Sequence, residues 1–368
     1  MSAPAPRSPA TRPGAAASAP LQAGDPAPWF TAATPSNPAF VFDNAAGRYV
    51  LMAFLPSDPV ACGKVLAATA ANRALFDDAK ACVFLVTSDP QIAATARDMR
   101  GLRWVLDADR AVARLYGALA PDGTETPVWL LLDPTLRVAG RAPIEEAERV
   151  FNAVRALPAP ADHAGVPVVA PVLIVPRVFE PEFCARLIAL HAADGGGFTG
   201  VMRDEGERTV AVMDENKKRR DIWIKDPALQ AQIRDALARR LFPQIHNAFQ
   251  FQVTEIERYL VSCYDAADGG VFRPHRDNTT WQTANRKFAC SINLNDDFDG
   301  GDLRFPEYGL VRHRPPLGGA VVFSCGLMHE AMPVTRGRRY ALLPFFYDDA
   351  GRRTLEAYLQ SQENAPEA

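Results

Sequence analysis

The sequence predicts a two-domain protein: an α/β layer domain, then a domain with helices packed outside a curled β-sheet. Three observations carry this. The chain has 368 residues, more than one ordinary core supports. The stretch 157–172, LPAPADHAGVPVVAPV, has neither helical nor strand period and reads as a stiff proline- and alanine-rich linker. The pattern also differs on its two sides. Over 21–156 strands alternate with helices, whereas over 173–350 helical segments come first and strands and turns follow.

In the first domain, Tyr49–Leu55 (YVLMAFL) and Cys82–Thr87 (CVFLVT) are short, almost wholly apolar runs, as expected for strands covered on both faces. Between and after them, 64–79 and 90–99 read as helices, the former with Val65, Leu66, Leu75 and Phe76 among alanines. A third apolar run, Val128–Leu132, leads through Asp133-Pro134 to a partner strand near Arg137–Ala139. In the second domain, 180–193 and 227–242 read as helices, and the tail 351–368 holds a short helix before it frays. Residues 1–20 contain only small residues, prolines and two arginines, which predicts a disordered tail rather than a signal peptide.

Hydrophobic residues make up 48% and charged residues 23%, the balance of a soluble globular protein. A net charge of −3 offers no bulk attraction to nucleic acid or anionic lipid, and no segment is long and apolar enough for a membrane span. Six cysteines without a CxxC pair predict reduced thiols and a cytoplasmic protein.

The chemistry is concentrated in Tyr264–Asp277, YDAADGGVFRPHRD. In a strand, alternate side chains share a face, so His275 and Asp277 project together and offer an imidazole and a carboxylate to a divalent metal. His329, in SCGLMHEAMPVTRGRRYALLPFF, is the candidate third ligand from a distant strand. Two histidines and one carboxylate leave three positions open, the facial arrangement that suits non-haem Fe(II). Zinc more often takes a closed tetrahedron or one open position. Arg339 follows on the next apolar strand, after a turn at Thr335-Arg336-Gly337. A guanidinium on a barrel wall calls for an anionic partner, such as the far carboxylate of 2-oxoglutarate. By spacing alone Arg338 could take the same role, although it reads as a solvated neighbour. His163, His191, His246 and His313 lack such a context and read as surface or packing residues. The charged run 215–221, in a glycine-rich polar segment spanning 195–222, reads as a solvated turn, with a mobile lid as the other possibility.

With PRVFEPEFCARLI, the metal strand, CSINLNDDFDGGDLRF and HEAMPVTRGRRYALLPFFY in place, residues 173–348 resemble the prolyl-4-hydroxylase-like 2-oxoglutarate and Fe(II)-dependent dioxygenases. The resemblance implies a double-stranded β-helix (jelly-roll) fold, with His275, Asp277 and His329 as metal ligands and Arg339 as the cosubstrate anchor. It places Tyr264 in the cosubstrate pocket, and Asn293 where relatives often have a cosubstrate-contacting tyrosine. Gly300-Gly301 matches a sharp bend before the strand Asp302–Phe305. The implied activity is hydroxylation of a protein, peptide or amino-acid-like substrate, with release of succinate and carbon dioxide. Fe(II) and 2-oxoglutarate are required and ascorbate is an optional reductant.

Residues 21–156 resemble a peroxiredoxin-type thioredoxin-like fold, through GDPAPWF, RYVLMAFLPSDPVACG, VLDADRAVARLYG and TPVWLLLDP. Cys62 matches the peroxidatic position at a helix start, where a helix N-terminus would favour thiolate. Pro59 and Pro127 replace the threonine and arginine of that family, and Val65 stands where a second thiol would be. This favours a non-peroxidatic scaffold or substrate-presenting module. The alternative is a thiol peroxidase centred on Cys62, with the oxygenase half sensing iron or oxygen. Pro127 is also predicted to be a cis-proline of thioredoxin type.

Overall fold

The computed structural model describes residues 20–205 and 208–363. The predicted N-terminal disordered tail lies, but for Pro20, outside the described residues. The chain forms two compact units, one drawn mainly from residues before 170 and the other from those after it.

The first unit is built on a five-stranded sheet ordered Leu102–Leu106, Ala81–Thr87, Tyr49–Phe54, Val128–Leu132, Val138–Pro143. The first three strands run parallel and the last two antiparallel. Every residue of Tyr49–Phe54 and Ala81–Thr87 is buried, which is why both read as unbroken apolar runs. The first helix spans Pro59–Ala71 rather than 64–79. Its start is set by Asp58, whose carboxylate accepts from the Ala61 N–H at 2.7 Å, and by Pro59 at the first helical position. The next helix, Pro90–Thr95, is likewise capped by Asp89 and is shorter than predicted. All described peptide bonds are trans, so the cis form expected at Pro127 is not present.

The second unit is a squashed barrel of two sheets. The larger carries, in order, Glu255–Ile256, Phe345–Tyr347, Phe288–Asn293, Arg338–Leu342, Leu260–Asp265, Arg220–Trp223 and Gly197–Phe198; Ala320–Ser324 and Leu173–Val175 add to it beside Phe288–Asn293. The smaller runs Lys217–Lys218, Val271–His275, His329–Ala331, Leu303–Arg304, Arg312–His313. Helices Pro181–Asp194, Pro227–Arg240 and Phe242–Phe249 cover the outer face of the larger sheet. Leu187, Ile233, Leu237 and Ile245 pack there with Val261, Ile292, Leu342 and Phe346. Period-two alternation then turns Ser262, Tyr264, Ser291, Asn293 and Arg339 to the other face, toward the barrel interior. The C-terminal helix, Asp349–Glu363, is longer than the short one expected, and the fraying expected after it lies outside the described residues.

A glycine joins the helical layer to the barrel. Gly318, at φ +69°, accepts from both the Val178 and Phe179 N–H groups at 2.8 and 2.9 Å. A Cβ on it would lie 2.1 Å from the Phe179 carbonyl oxygen. Gly318→Ala is therefore expected to lower unfolding stability by about 2 kcal/mol or more, from the left-handed backbone and the contact together. Urea denaturation followed by circular dichroism measures this.

Candidate active site

His275 ends the strand Val271–His275, and Asp277 lies just beyond it. The two are thus brought together by the strand end rather than by strand alternation alone, with the Asp277 N–H held by the Cys325 carbonyl at 3.1 Å. His329 opens the neighbouring strand and is paired in register with His275. The ligand atoms of His275, Asp277 and His329 all lie within 4.8 Å of one another. Asp277 Oδ1 is 3.5 Å from His275 Nε2, and its Oδ2 is 3.3 Å from His329 Nε2.

The remaining ring nitrogens are committed. Nδ1 of His275 donates to the Arg273 carbonyl at 2.7 Å, and Nδ1 of His329 to the Leu327 carbonyl at 3.0 Å. Each carbonyl accepts only, so the Nδ1–H tautomer is selected and the Nε2 lone pairs face Asp277. Phe272 stacks on His275 with ring centroids 3.5 Å apart, and Phe323 lies 4.5 Å from His329. Burial, and then the neighbouring His329, push the His275 pKa down toward the neutral ligand form. Burial alone would raise the Asp277 carboxyl. The neighbouring His329, and then His275, outweigh it and hold that carboxyl well below its usual range. Two neutral imidazoles and an ionised carboxylate converging on one point are a donor set that fits a divalent metal.

Arg339 stands on Arg338–Leu342, beside Tyr264 in register, and is only 2% exposed. Its Nε donates to Asn293 Oδ1 at 3.1 Å and its Nη2 to Ser291 Oγ at 2.6 Å. Nη1 has no protein acceptor, and no carboxylate lies within ion-pairing distance among the described residues. Burial pushes its pKa down, as expected of a cation without a counter-ion. Gly301, at φ +70°, lets the bend pass close to this side chain: a Cβ there would lie 2.9 Å from Arg339 Cδ. Arg338, by contrast, is exposed and pairs with Asp265 at 2.6 Å.

Tyr264 is buried, its ring 5.4 Å from the Arg339 guanidinium, and its hydroxyl accepts from Arg219 at 3.2 Å. One Asn293 amide N–H donates to the Pro315 carbonyl at 2.9 Å and its oxygen accepts from Arg339, so Asn293 braces the anchor.

Cys62 is placed elsewhere, in the first unit. It is the fourth residue of its helix and donates its N–H to the Asp58 carbonyl, so it is past the free amides of the helix start. Its thiol is buried, and burial followed by the charge of Asp89 raises its pKa. Both effects oppose thiolate formation and count against a peroxidatic role. All six cysteines are free and buried.

The charged run is not a solvated turn. Lys217, Arg219 and Asp221 are buried, while Lys218 and Arg220 between them reach the exposed Glu215 and the half-buried Asp268. The period of two inside KKRRD was the signal for this, and counting the run as a block of charge hid it. Arg286 was also missed. It donates to the Asp277 carbonyl at 3.2 Å, grips the Glu257 carboxylate and stacks on Phe345 at 4.0 Å. Asp277 is thus held at both backbone ends.

No family model matches the chain. A PKHD-type hydroxylase of Pseudomonas aeruginosa, PiuC, is 27% identical over 181 residues, 46% of this chain and 75% of that protein. A PKHD-type hydroxylase of Burkholderia ambifaria is 27% identical over 208 residues, 50% of this chain and 80% of its own. Among solved structures, a prolyl hydroxylase from Trichoplax adhaerens matches with TM-score 0.40 and 18% identity, over 50% of this chain and 87% of that one. The metal triad and the likeness to curated PKHD-type hydroxylases support a 2-oxoglutarate/Fe(II) dioxygenase.

Because Arg286 fixes the Asp277 backbone, Arg286→Lys, which loses the planar fork, is expected to weaken divalent-metal binding about 10- to 100-fold. Calorimetric titration of the metal-free protein with Mn(II) measures it. An unchanged affinity would remove Arg286 from the metal site.

Proposed function

We propose that the chain hydroxylates a protein, peptide or amino-acid-like substrate, holding Fe(II) through His275, Asp277 and His329 and 2-oxoglutarate through Arg339. The observation that carries this reading is the Arg339 guanidinium. It is buried, braced by Asn293 and Ser291, and left with one amino group free and no carboxylate. Such a burial is costly unless an anion completes it.

In this reading the distal carboxylate of 2-oxoglutarate takes the free Nη1, and the Tyr264 hydroxyl has its proton left to donate, because Arg219 already occupies it as an acceptor. Bound Fe(II) and 2-oxoglutarate supply the oxidising chemistry, in which dioxygen is consumed, succinate and carbon dioxide leave, and one oxygen atom enters the substrate. The protein supplies the facial donor set, the carbonyl-locked tautomers and an interior walled by Phe272, Phe305 and Phe323. Ascorbate as an auxiliary reductant is part of the proposal.

The first unit is proposed to be a thioredoxin-like scaffold or substrate-presenting module. Its mixed sheet supports that, and so does the cleft lined by Phe54, Asp107, Arg110, Glu125 and Pro127, to which Cys62 does not contribute. No described helix is long and apolar enough to cross a membrane. A cytoplasmic location and the absence of a nucleic-acid partner belong to the same proposal.

Succinate formation from 2-oxoglutarate is expected to depend on added Fe(II) and to fall at least about 100-fold in His275→Ala, because two ligands do not hold the metal. Succinate assayed by mass spectrometry tests this, and turnover independent of iron would contradict it.

A further inference from the structure

Five basic side chains, Lys217, Arg219, Arg258, Arg286 and Arg339, lie in the barrel interior in the field of Asp221, Glu257, Asp277 and Asp302. Burial, and then the charge of Arg219, bring the Lys217 ammonium down to about 7. Most of the five are matched. Arg219 lies 3.1 Å from Asp221, Arg286 grips Glu257, and Arg339 is assigned to the cosubstrate.

Arg258 is not matched. Its Nε donates to the Leu343 carbonyl at 2.8 Å, and its guanidinium lies 4.1 Å from the Phe345 ring that Arg286 also touches. Its two terminal amino groups have no acceptor among the described residues. A planar guanidinium held by its Nε and one ring, with both amino groups free, is a fork of the kind that takes a carboxylate through two parallel hydrogen bonds.

Its position ties it to the metal centre. Arg286, on the same ring, holds the Asp277 carbonyl, and the charges of Asp277 and Arg219 are both felt at Arg258. Lys217 adds to this field. Its ammonium donates to Thr199 Oγ1 and to the Gly200 carbonyl, both at 2.7 Å, and its third hydrogen has only Asp221, at 3.9 Å. It lies 5.6 Å from the ring of Phe272, which stacks on His275.

We propose that Arg258, in the field of Lys217 and Arg219, is an anion subsite beside the metal triad, and that the substrate carries a carboxylate near the carbon to be hydroxylated. This rests on the hydroxylase reading above and narrows its substrate to an acidic residue or amino-acid-like acid. Arg258 acts here as a specificity residue and takes no part in holding metal or cosubstrate.

The test uses the full chain loaded with Mn(II) and 2-oxoglutarate without oxygen. N-acetyl-glutamate methylamide and its neutral isostere N-acetyl-glutamine methylamide are each titrated in, with water-proton relaxation as the readout. The acid is expected to bind at least about tenfold tighter, a preference lost in Arg258→Gln and partly kept in Arg258→Lys. Equal binding of the two probes, binding of neither, or an undiminished preference in Arg258→Gln overturns the subsite. The same titrations report Mn(II) and 2-oxoglutarate affinity, so failure of the hydroxylase reading appears separately, as a wild-type chain that does not load.

Discussion

The buried Arg339 guanidinium constrains more of the second unit than any other side chain. A permanent charge placed in a protein interior must be surrounded by acceptors or completed by an anion. Here two acceptors come from one neighbouring strand, Ser291 and Asn293, and the space over the side chain comes from Gly301. Tyr264 closes the side facing Leu260–Asp265. The bend at Gly300-Gly301, the small polar residues on Phe288–Asn293 and the tyrosine opposite follow from one need, to hold a cation ready for a ligand. The metal triad has the complementary form. Its carboxylate is ionised and its imidazoles are locked with Nε2 inward, so it is ready for a cation. A molecule with a chelating end and a distant carboxylate suits both.

Alternation in the larger sheet makes this arrangement stable. Val261, Ile292 and Leu342 face the helices, while Ser262, Asn293 and Ala341 on the same strands face inward. The apolar face supplies the burial that stabilises the unit, and the polar face is free to carry function. Polar groups inside are paired almost throughout. Asp221 accepts from Ser262 and Thr199 and pairs with Arg219, and Glu257 pairs with Arg286. Against that background the amino groups of Arg339 and Arg258 that lack an acceptor among the described residues are exceptions.

Much of this was legible in the residues. The unbroken apolar runs at Tyr49 and Cys82 located buried strands because burial on both faces leaves no polar positions to confuse the period. His275, Asp277, His329 and Arg339 were legible because few structures need that combination in that order. What was not legible depended on partners far along the chain. Nothing local marks Arg286 as the clamp on Asp277, nor Asn293 as a brace for Arg339, since each role is set by a residue on another strand. The helix start at Asp58-Pro59 was readable from its cap, but the alanine-rich core of the helix drew the boundary inward. That shift moved Cys62 off the helix terminus and removed the electrostatic reason for treating it as a thiolate. The charged run failed for another reason: where two extended segments meet at Arg219, every second charge of KKRRD is turned inward.

The central claim is that Arg339 is completed by the far carboxylate of 2-oxoglutarate while the triad holds a metal. Calorimetric titration of 2-oxoglutarate into the Mn(II)-loaded chain without oxygen, in wild type and in Arg339→Gln, tests it most directly. Removing one partner of a buried charge pair costs about 2–5 kcal/mol, so the variant should bind at least about 30-fold more weakly while its Mn(II) affinity is retained. Equal 2-oxoglutarate affinity in the two proteins would contradict the account.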